Sequence, residues 1–426
     1  MISIPRPPVI EKAMLARVLL PGESAADVEE SLEEMRQLAW TAGADVALTM
    51  VQRRDRPNPA TLVGGGKITE MRAAIEEMGI EVVLFDSDLT PAQGVKLEKA
   101  LECKVLDRTQ LILDIFAQRA QTREGRKQVE LAQLQYLLPR LSGRGSLMRQ
   151  QGGIGVRGPG EQKLEVDRRV IRDRIARLKE ELDEVRRHRR VQREKRGSQG
   201  IPTVALVGYT NAGKSSLLNA LTEAGALAEN RLFATLDPLV RRCALPDGGE
   251  ILLADTVGFV RRLPHTLVAA FRATLEAVNE ADLLLAVMDA AHPAMEDHAR
   301  TVRQVMEEIG ASAVPVIRVY NKADLLPSEE RYGLDSDREP HVIVSARTGE
   351  GLDRLLAAVQ AHLGTRRARL RLRVPQEQAA VLSRLHERGR ILRKSYEGND
   401  IILEVEADPV LAGQLNPWVD NKGDTA

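Results

Sequence analysis

The chain contains a run of glycine, lysine and serine residues whose spacing suits a bound phosphate. Gly208 to Ser215 reads Gly-Tyr-Thr-Asn-Ala-Gly-Lys-Ser, follows the apolar run 203–207 and precedes the helix-forming residues 216–221. Glycines at these places let backbone N–H groups turn toward phosphate oxygens. Lys214 would neutralise the β- and γ-phosphates, and the Ser215 hydroxyl would ligate magnesium. The segment therefore predicts a P-loop for a nucleoside triphosphate.

A second motif, further along the chain, has the residue types that recognise guanine. An apolar strand is followed by Asn-Lys-Ala-Asp at 321–324. The Asp324 carboxylate can accept from both the ring N1–H and the exocyclic amine of guanine, whereas adenine would leave this charge unpaired. The stem of Lys322 can cover the base, and the Ala346 N–H in the later Ser-Ala-Arg segment can reach guanine O6. These features favour GTP over ATP.

Two segments between these motifs have the composition of switches that sense the γ-phosphate. An apolar strand ends in Asp255-Thr-Val-Gly258, where Asp255 would hold magnesium through water and the Gly258 N–H would contact the γ-phosphate. Thr235, in Leu-Phe-Ala-Thr-Leu-Asp-Pro, would complete the magnesium shell only when the γ-phosphate is present. Thr210 and Thr222 are weaker candidates because they belong to the P-loop turn and its helix.

The candidate site can be stated residue by residue. We expect Lys214, Thr235 and Gly258 to act in catalysis, and Ser215 and Thr235 to ligate Mg²⁺. The residues expected to contact the nucleotide are Gly208, Tyr209, Thr210, Asn211, Ala212, Gly213, Lys214, Ser215, Ser216, Phe233, Ala234, Thr235, Leu236, Asp237, Asp255, Thr256, Val257, Gly258, Asn321, Lys322, Ala323, Asp324, Ser345, Ala346 and Arg347.

Two positions in this set bear on the rate and on a second ion. Phe259 stands where many GTPases have a glutamine that orients the attacking water, so intrinsic hydrolysis is expected to be slow. Several bacterial families of small GTPases use an asparagine at the position of Asn211 to help hold potassium (K⁺) beside the phosphates. The alternative, an Asn211 that only braces the loop, is slightly favoured.

The elements around these motifs indicate a multidomain α/β protein. Strands are predicted at 14–20, 45–51, 81–85 and 104–106, with helices between them, which is typical of a parallel α/β domain over residues 1–118. Gly64-Gly-Gly-Lys67 before one helix could hold a phosphate, but a flexible turn is the favoured interpretation.

The next segment, 119–196, has the leucine spacing of two packed helices and an excess of positive charge. Heptad-like positions predict an antiparallel helical hairpin whose loop runs from Pro139 to Gly160. That loop holds four arginines and no acid, and the whole segment has a net charge of +11, against −6 for residues 1–118. Such segregation is typical of a segment that faces a polyanion such as RNA.

The remaining chain is assigned to a P-loop GTPase domain, 197–365, and a small C-terminal α/β domain, 366–426, with partial disorder expected after Pro409. The two cysteines, far apart, indicate reduced thiols rather than a disulfide framework. The chain shows no signal peptide and no apolar run as long as a membrane span. A cytoplasmic protein, monomeric away from its partner, is therefore expected.

Four stretches together resemble the HflX family of ribosome-associated GTPases. They are 59–67, 157–169, the P-loop 208–215 and 255–271, and the resemblance covers nearly the whole chain. The second and fourth stretches are highly specific to the family. The chain departs from the family pattern at Gln162, in the second stretch, and at Arg347, where lysine is frequent, and neither position contacts a phosphate.

The resemblance implies binding to the large ribosomal subunit and a role in splitting stalled or idle ribosomes. The charge of the basic hairpin loop favours that loop as the contact with ribosomal RNA. Two other functions remain open. Phe259 would also suit a nucleotide sensor that hardly hydrolyses GTP and regulates a protein partner. The glycines before Lys67 would suit an RNA-remodelling protein that uses ATP in its N-terminal domain.

Overall fold

A four-stranded parallel sheet forms the core of the N-terminal domain. The computed structural model describes residues 10–148, 159–197, 201–222, 232–233, 235–237, 239–262, 277–327, 329, 331, 334, 340–364, 368–378, 381–383, 385, 389–407 and 409–420. The sheet has the order β2-β1-β3-β4. Its elements are β1 (Glu11–Leu19), α1 (Ala25–Ala42), β2 (Ala44–Arg53), α2 (Gly65–Met78), β3 (Val82–Phe85), α3 (Pro91–Leu101), β4 (Lys104–Asp107) and α4 (Arg108–Arg119).

Local sequence explains where these helices begin and end. The Ser24 hydroxyl accepts from the Asp27 N–H at the start of α1, and Gly43 ends that helix in the left-handed region with φ 92°. Thr90 and Gln93 form a reciprocal capping box before α3, and Asp107 caps α4. The predicted parallel α/β domain is confirmed, although α4 was not predicted.

Two long helices, α5 (Arg123–Met148) and α6 (Pro159–Gly197), form an antiparallel hairpin, called the arm below. Lys127 pairs with Glu181 at 2.9 Å and Glu130 pairs with Arg174 at 2.7 Å, so the helices run in opposite directions. The predicted loop start at Pro139 is wrong, because α5 is helical through Pro139 to Met148. Packing against α3, α4 and α6 outweighs the missing N–H of this proline.

The GTPase domain is built on a six-stranded sheet with the order β10-β9-β8-β5-β7-β6, in which only the edge strand β6 is antiparallel. Helices lie on both faces, as is usual for such sheets. The elements are β5 (Thr203–Gly208), α7 (Lys214–Thr222), β6 (Leu239–Ala244), β7 (Glu250–Asp255), β8 (Leu283–Asp289), α8 (Met295–Glu308), β9 (Val316–Asn321), β10 (His341–Ile343) and α9 (Leu352–Gly364).

A small antiparallel sheet with the order β11-β13-β12 forms the C-terminal domain. Its elements are β11 (Ala368–Pro375), β12 (Arg390–Glu397), β13 (Asp400–Ala407) and α10 (Pro409–Leu415). The expected disorder after Pro409 is wrong for the first residues, because Leu411 and Leu415 of α10 are buried against the sheet. The final residues, 421–426, lie outside the described part of the chain.

One hydrophobic core is shared by the N-terminal domain, the arm and the GTPase domain. The Phe116 ring of α4 meets the Phe233 ring edge-to-face, with 4.7 Å between centroids. Val129 and Ala132 of α5 lie in the same cluster. Among the described residues, the GTPase side chains in this core come from the two segments predicted to be switches or lie two residues after them, and they are Leu232, Phe233, Leu236, Val257 and Val260.

Candidate functional site

The P-loop connects the end of β5 to the start of α7, and its glycines are required by close contacts. A Cβ on Gly208 would lie 2.2 Å from the Val287 carbonyl oxygen, and one on Gly213 would lie 2.2 Å from Asn321 Nδ2. Gly213 also has φ 92°, in the left-handed region. Asn211 occupies that region too, with φ 62°, and is exposed at the tip of the loop. Larger residues at either glycine would displace the loop.

Lys214 is buried beneath the loop. Its Nζ donates to the carbonyls of Gly208 and Tyr209, at 3.1 and 2.9 Å. Burial lowers the pKa of the Lys214 amine to about 8, although the nearby Asp255 carboxylate favours the charged form. A triphosphate brought next to this amine would restore the charged form, so the site is suited to an anion.

Three oxygen-bearing side chains meet where magnesium was expected. The Ser215 hydroxyl donates to Asp255 Oδ2 at 2.7 Å, Thr235 Oγ1 donates to the same oxygen at 2.9 Å, and the two hydroxyls lie 2.9 Å apart. Asp255 is fully buried, and its Oδ1 has no hydrogen-bond partner among the described residues. A buried carboxylate with an unpartnered oxygen and two neighbouring hydroxyls is the donor set that Mg²⁺ prefers. The residues therefore fit this cofactor.

The second predicted switch lies directly against the P-loop. Thr210 N–H donates to the Phe259 carbonyl at 2.7 Å, and the Phe259 N–H donates to Gly208 O at 3.1 Å. A Cβ on Gly258 would lie 3.0 Å from Lys214 Nζ and closer still to Thr210, so glycine is required here. The Phe259 ring is buried in the core and cannot contact a water at the phosphates.

The residues predicted to recognise the base form a connected cluster. Asn321 braces two loops, because its Nδ2 donates to Ala212 O and its Oδ1 accepts from the Ala346 N–H, both at 3.0 Å. Asp324 Oδ1 accepts from the Ser345 hydroxyl at 2.7 Å, which orients the carboxylate. Arg347 is largely exposed, with its Nε 3.4 Å from Asp324 Oδ2.

Lys322 has a partner that was not predicted. Its Nζ lies 2.6 Å from Asp289 Oδ2, and this ion pair fixes the direction of the lysine stem. Asp289 ends β8, and the carboxyl ends of parallel strands are where ligands bind in such sheets. That rule, applied to the apolar run of β8, could have identified it.

Several predicted contact residues direct their side chains away from the phosphates. Phe233, Leu236 and Val257 pack in the shared core. The Asp237 carboxylate bonds to the residues just before α5, and the Thr256 hydroxyl donates to Leu206 O at 2.6 Å. Any nucleotide contact from these residues would be made by the backbone. Ala234 lies outside the described residues.

A buried polar network joins α1 to the P-loop and to the residues after Phe259. The Tyr209 hydroxyl donates to Glu34 and accepts from the Arg261 N–H at 2.7 Å. Glu34 is also paired with Arg108. The Arg261 guanidinium reaches Glu30 of α1 at 2.7 Å. Sequence reasoning missed this network, because its members are far apart in the chain and match no motif.

Next to this network, a cavity of about 580 Å³ lies between α1 and the P-loop and reaches Asn211. His298 forms part of its wall, stacked on the Tyr209 ring with centroids 3.7 Å apart. Its Nε2 is 3.0 Å from Glu30 Oε1. Burial lowers the pKa of the His298 imidazole to about 3, so the ring is neutral at physiological pH. His298 therefore adds no positive charge to the wall of the cavity.

The other sequence-predicted features lie away from this site. Arg140 is bonded within the fold, to Leu89 O and to Asp107 Oδ2, and the loop residues 149–158 lie outside the described residues. Lys67 is paired locally with Glu70 at 2.6 Å. Among the described residues, every helix is too short or too polar to span a lipid bilayer.

Comparisons with known proteins agree with this geometry. Residues 29–117 match the family described as GTP-binding GTPase N-terminal, 119–196 match GTP-binding GTPase Middle Region, and 203–322 match 50S ribosome-binding GTPase. GTPase HflX of Caldanaerobacter subterraneus subsp. tengcongensis is 46% identical over 410 residues, covering 96% of this chain and 94% of that protein. GTPase HflX of Escherichia coli (strain K12) is 46% identical over 380 residues, covering 88% of each chain.

A search of solved structures gave a match to the complex of SsGBP with GDP, at 24% identity and a TM-score of 0.47, covering 83% of this chain and 98% of that chain. The family assignment rests on the sequence relatives, whose identity extends over almost the full chain. Together with the P-loop and the cluster around Asn321 and Asp324, these relatives support GTP binding and hydrolysis and a ribosome-binding GTPase domain. The chain belongs to the HflX family of GTPases.

Proposed function

We propose that this protein is a GTP-driven switch that binds the large ribosomal subunit and splits or rescues stalled or idle ribosomes. The observation that carries the proposal is the shared core. Val129 and Ala132 of the arm pack in the same cluster as Leu236 and Val257 of the two switch segments. A conformational change in the switch segments on GTP hydrolysis would therefore alter the packing of Val129 and Ala132 in α5.

The arm is the part proposed to enter ribosomal RNA. Helix α6 has 39 residues and would extend roughly 60 Å at the rise of an α-helix. The segment 119–196 has a net charge of +11, and the positive residues proposed to reach RNA phosphates are Arg144, Arg149 and Arg157. Arg140 is excluded from this set because it is bonded to Asp107.

The chemistry proposed for the site uses the residues described above. Ser215 and Thr235 would ligate magnesium directly and Asp255 would hold it through water, while Lys214 would neutralise the β- and γ-phosphates. Magnesium supplies charge neutralisation on the phosphate oxygens. The Gly258 N–H would detect the γ-phosphate. Because Phe259 cannot orient water, we propose that the ribosome completes the site and raises the rate at least tenfold, about 1.4 kcal/mol of barrier.

A binding and turnover experiment tests this function. GTP hydrolysis is measured with and without large subunits, and intact ribosomes are sedimented after incubation with a GTP analogue or GDP. We expect stimulation by subunits and splitting with the GTP form. A free-protein rate equal to the stimulated rate would refute the stimulation, and intact ribosomes in both nucleotide states would refute splitting. Equal rates in potassium and sodium salts would exclude potassium at Asn211.

A matched pair of triple variants tests the arm. Alanine at Arg144, Arg149 and Arg157 removes three charges from it. Alanine at Arg241, Arg242 and Arg354, which are exposed on the GTPase domain, removes three charges elsewhere. Each lost phosphate contact should lower the slope of log affinity against log salt by about 0.7–0.9. We expect the arm variant alone to flatten that slope, with GTP affinity unchanged. The same salt slope in both variants would contradict the proposal.

We also propose that the protein acts in the cytoplasm and is a monomer between encounters with ribosomes. Cys103 and Cys243 are both free thiols, which agrees with a reducing compartment such as the cytoplasm. Light scattering of the purified protein with GDP and with a GTP analogue measures the oligomeric state. A dimer in either state would refute the monomer proposal.

A further inference from the structure

The Asp237 carboxylate occupies the N-terminus of the arm's first helix. Its Oδ2 accepts from the backbone N–H groups of Gln121 and Thr122, both at 2.9 Å, and its Oδ1 accepts from the Thr122 hydroxyl. The same hydroxyl accepts from the Gly125 N–H at 2.9 Å, so Thr122 also caps α5. A carboxylate is favoured at this position, because helix N-termini carry a partial positive charge.

The fit of the carboxylate against the helix is close. A Cβ on Gly125 would lie 2.3 Å from Asp237 Oδ1, so no other residue at position 125 leaves room for this contact. Gly125 is in the first turn of α5, more than a hundred residues before Asp237 in the chain, and the atoms nearest to an added Cβ belong to Asp237 and Thr122. The contact can therefore be removed from the arm side without changing the phosphate site.

Three consecutive residues of the first switch segment face three different surroundings. Thr235 Oγ1 bonds to Asp255 at 2.9 Å, Leu236 is buried in the shared core, and Asp237 holds the start of α5. The position of the Thr235 hydroxyl therefore depends on a contact two residues away with a different domain. Anything that moves the start of α5 would shift Thr235 relative to Asp255.

We propose that Asp237 is a positioning residue, through which the start of α5 holds Thr235 at the metal site. The inference rests on the proposed function in one respect, that Thr235 ligates magnesium in the GTP state. Coupling between two sites is reciprocal in free energy. GTP that orders Thr235 thus stabilises the first turn of α5. A ribosome that fixes α5 would strengthen GTP binding by the same factor by which GTP strengthens ribosome binding.

Two variants remove the contact from opposite sides. Gly125→Ala displaces the carboxylate by crowding, and Asp237→Asn replaces an acceptor oxygen with a donor that faces backbone N–H groups. The matched control is Gly94→Ala in α3, another helical glycine, where an added Cβ has nothing within 4 Å. Both glycine variants gain the same helix propensity, so a difference between their nucleotide affinities reports the loss of the Asp237 carboxylate contact.

The first measurement is the affinity of the free protein for a non-hydrolysable GTP analogue and for GDP, each with magnesium. We expect Gly125→Ala and Asp237→Asn to weaken binding of the GTP analogue about tenfold, which corresponds to the loss of one charge-assisted hydrogen bond. The affinity for GDP should change less than twofold. Gly94→Ala should match the unaltered protein. An unchanged ratio of the two affinities in both test variants would overturn the inference.

The second measurement is hydrogen exchange at the amides of Gln121 and Thr122. In the unaltered protein we expect slower exchange with the GTP analogue than with GDP, and in both test variants the same rate with either nucleotide. Equal exchange in the unaltered protein would also overturn the inference. Thr235→Ala separates the two hypotheses. If this variant binds the analogue normally, the metal assignment fails; if it binds weakly while Gly125→Ala binds normally, only the role of Asp237 fails.

Discussion

Removing one hydroxyl from the P-loop tests whether α1 of the N-terminal domain holds the nucleotide site. Tyr209→Phe keeps the ring, which stacks on His298, and deletes the oxygen that bonds to Glu34 and to the Arg261 N–H. Burial raises the pKa of the Tyr209 hydroxyl, so it remains protonated and donates to the carboxylate. Tyr209→Phe leaves the Glu34 carboxylate and the Arg261 N–H without their hydrogen bonds to this hydroxyl.

The cost of the lost hydroxyl follows from these two bonds. A buried group that loses its partner costs about 1–3 kcal/mol, and more when it is charged. Glu34 retains its ion pair with Arg108, which limits the penalty on that side. We therefore expect the free energy of unfolding of this region to fall by about 3 kcal/mol, which is roughly a hundredfold in the unfolding equilibrium constant.

The assay uses the tryptophan in α1 as the reporter. The chain has two tryptophans, and Trp418→Phe leaves Trp40 as the single emitter. Urea unfolding followed at Trp40, with GDP present throughout, gives the free energy of unfolding of this region. Tyr396→Phe is the control, because that residue is 62% exposed in the C-terminal sheet. A loss no greater than that of the control would refute the contribution of the Tyr209 hydroxyl.

Three further predictions concern the nucleotide site. Asp324→Asn should weaken GTP binding by about 2–4 kcal/mol, and should weaken the binding of inosine triphosphate less because that base lacks the exocyclic amine. Calorimetric titration with both nucleotides measures these affinities, and an unchanged GTP affinity would exclude Asp324 from base recognition. Ser215→Ala should abolish magnesium-dependent phosphate release, whereas full turnover would show that the metal is held elsewhere. Because burial lowers the pKa of the Lys214 amine to about 8, GTP binding above pH 8 should be accompanied by proton uptake, and binding well below pH 8 should not. Calorimetry at pH 9 in two buffers of different ionisation enthalpy measures this uptake. Equal binding heats in the two buffers would contradict the lowered pKa.

The nucleotide site was predictable because its parts are local. A strand, a glycine-rich turn and a helix follow one another at 203–222, and the backbone geometry needed for phosphate is encoded in that one segment. Asn321 and Asp324 lie at the end of a strand, where a parallel sheet must place them at the same edge. The sheet of the GTPase domain alone therefore brings these segments together, and the other domains are not needed to predict it.

The contacts between domains were not predictable, because they depend on residues that no spacing relates. Phe233 and Leu236 were expected at the nucleotide, yet their side chains lie in a core completed by α1, α4 and α5. The sequence shows that Phe233 and Leu236 are apolar, but it does not show which part of the protein packs against them. The predicted loop begins at Pro139, a residue type that disfavours a helix interior, and packing of α5 on three other helices overrides that preference.

The shared core also has a consequence for how the chain is made. The N-terminal sheet and α5 are synthesised first, and their apolar surface is completed only when Leu232 to Val260 have been added. At elongation rates of about 5–20 residues per second, the apolar surface remains uncovered for on the order of ten seconds. During that interval the nascent chain presents Phe116 and its neighbours to solvent. A slower stretch of translation between the arm and the P-loop would lengthen the period in which the newborn protein is prone to aggregate.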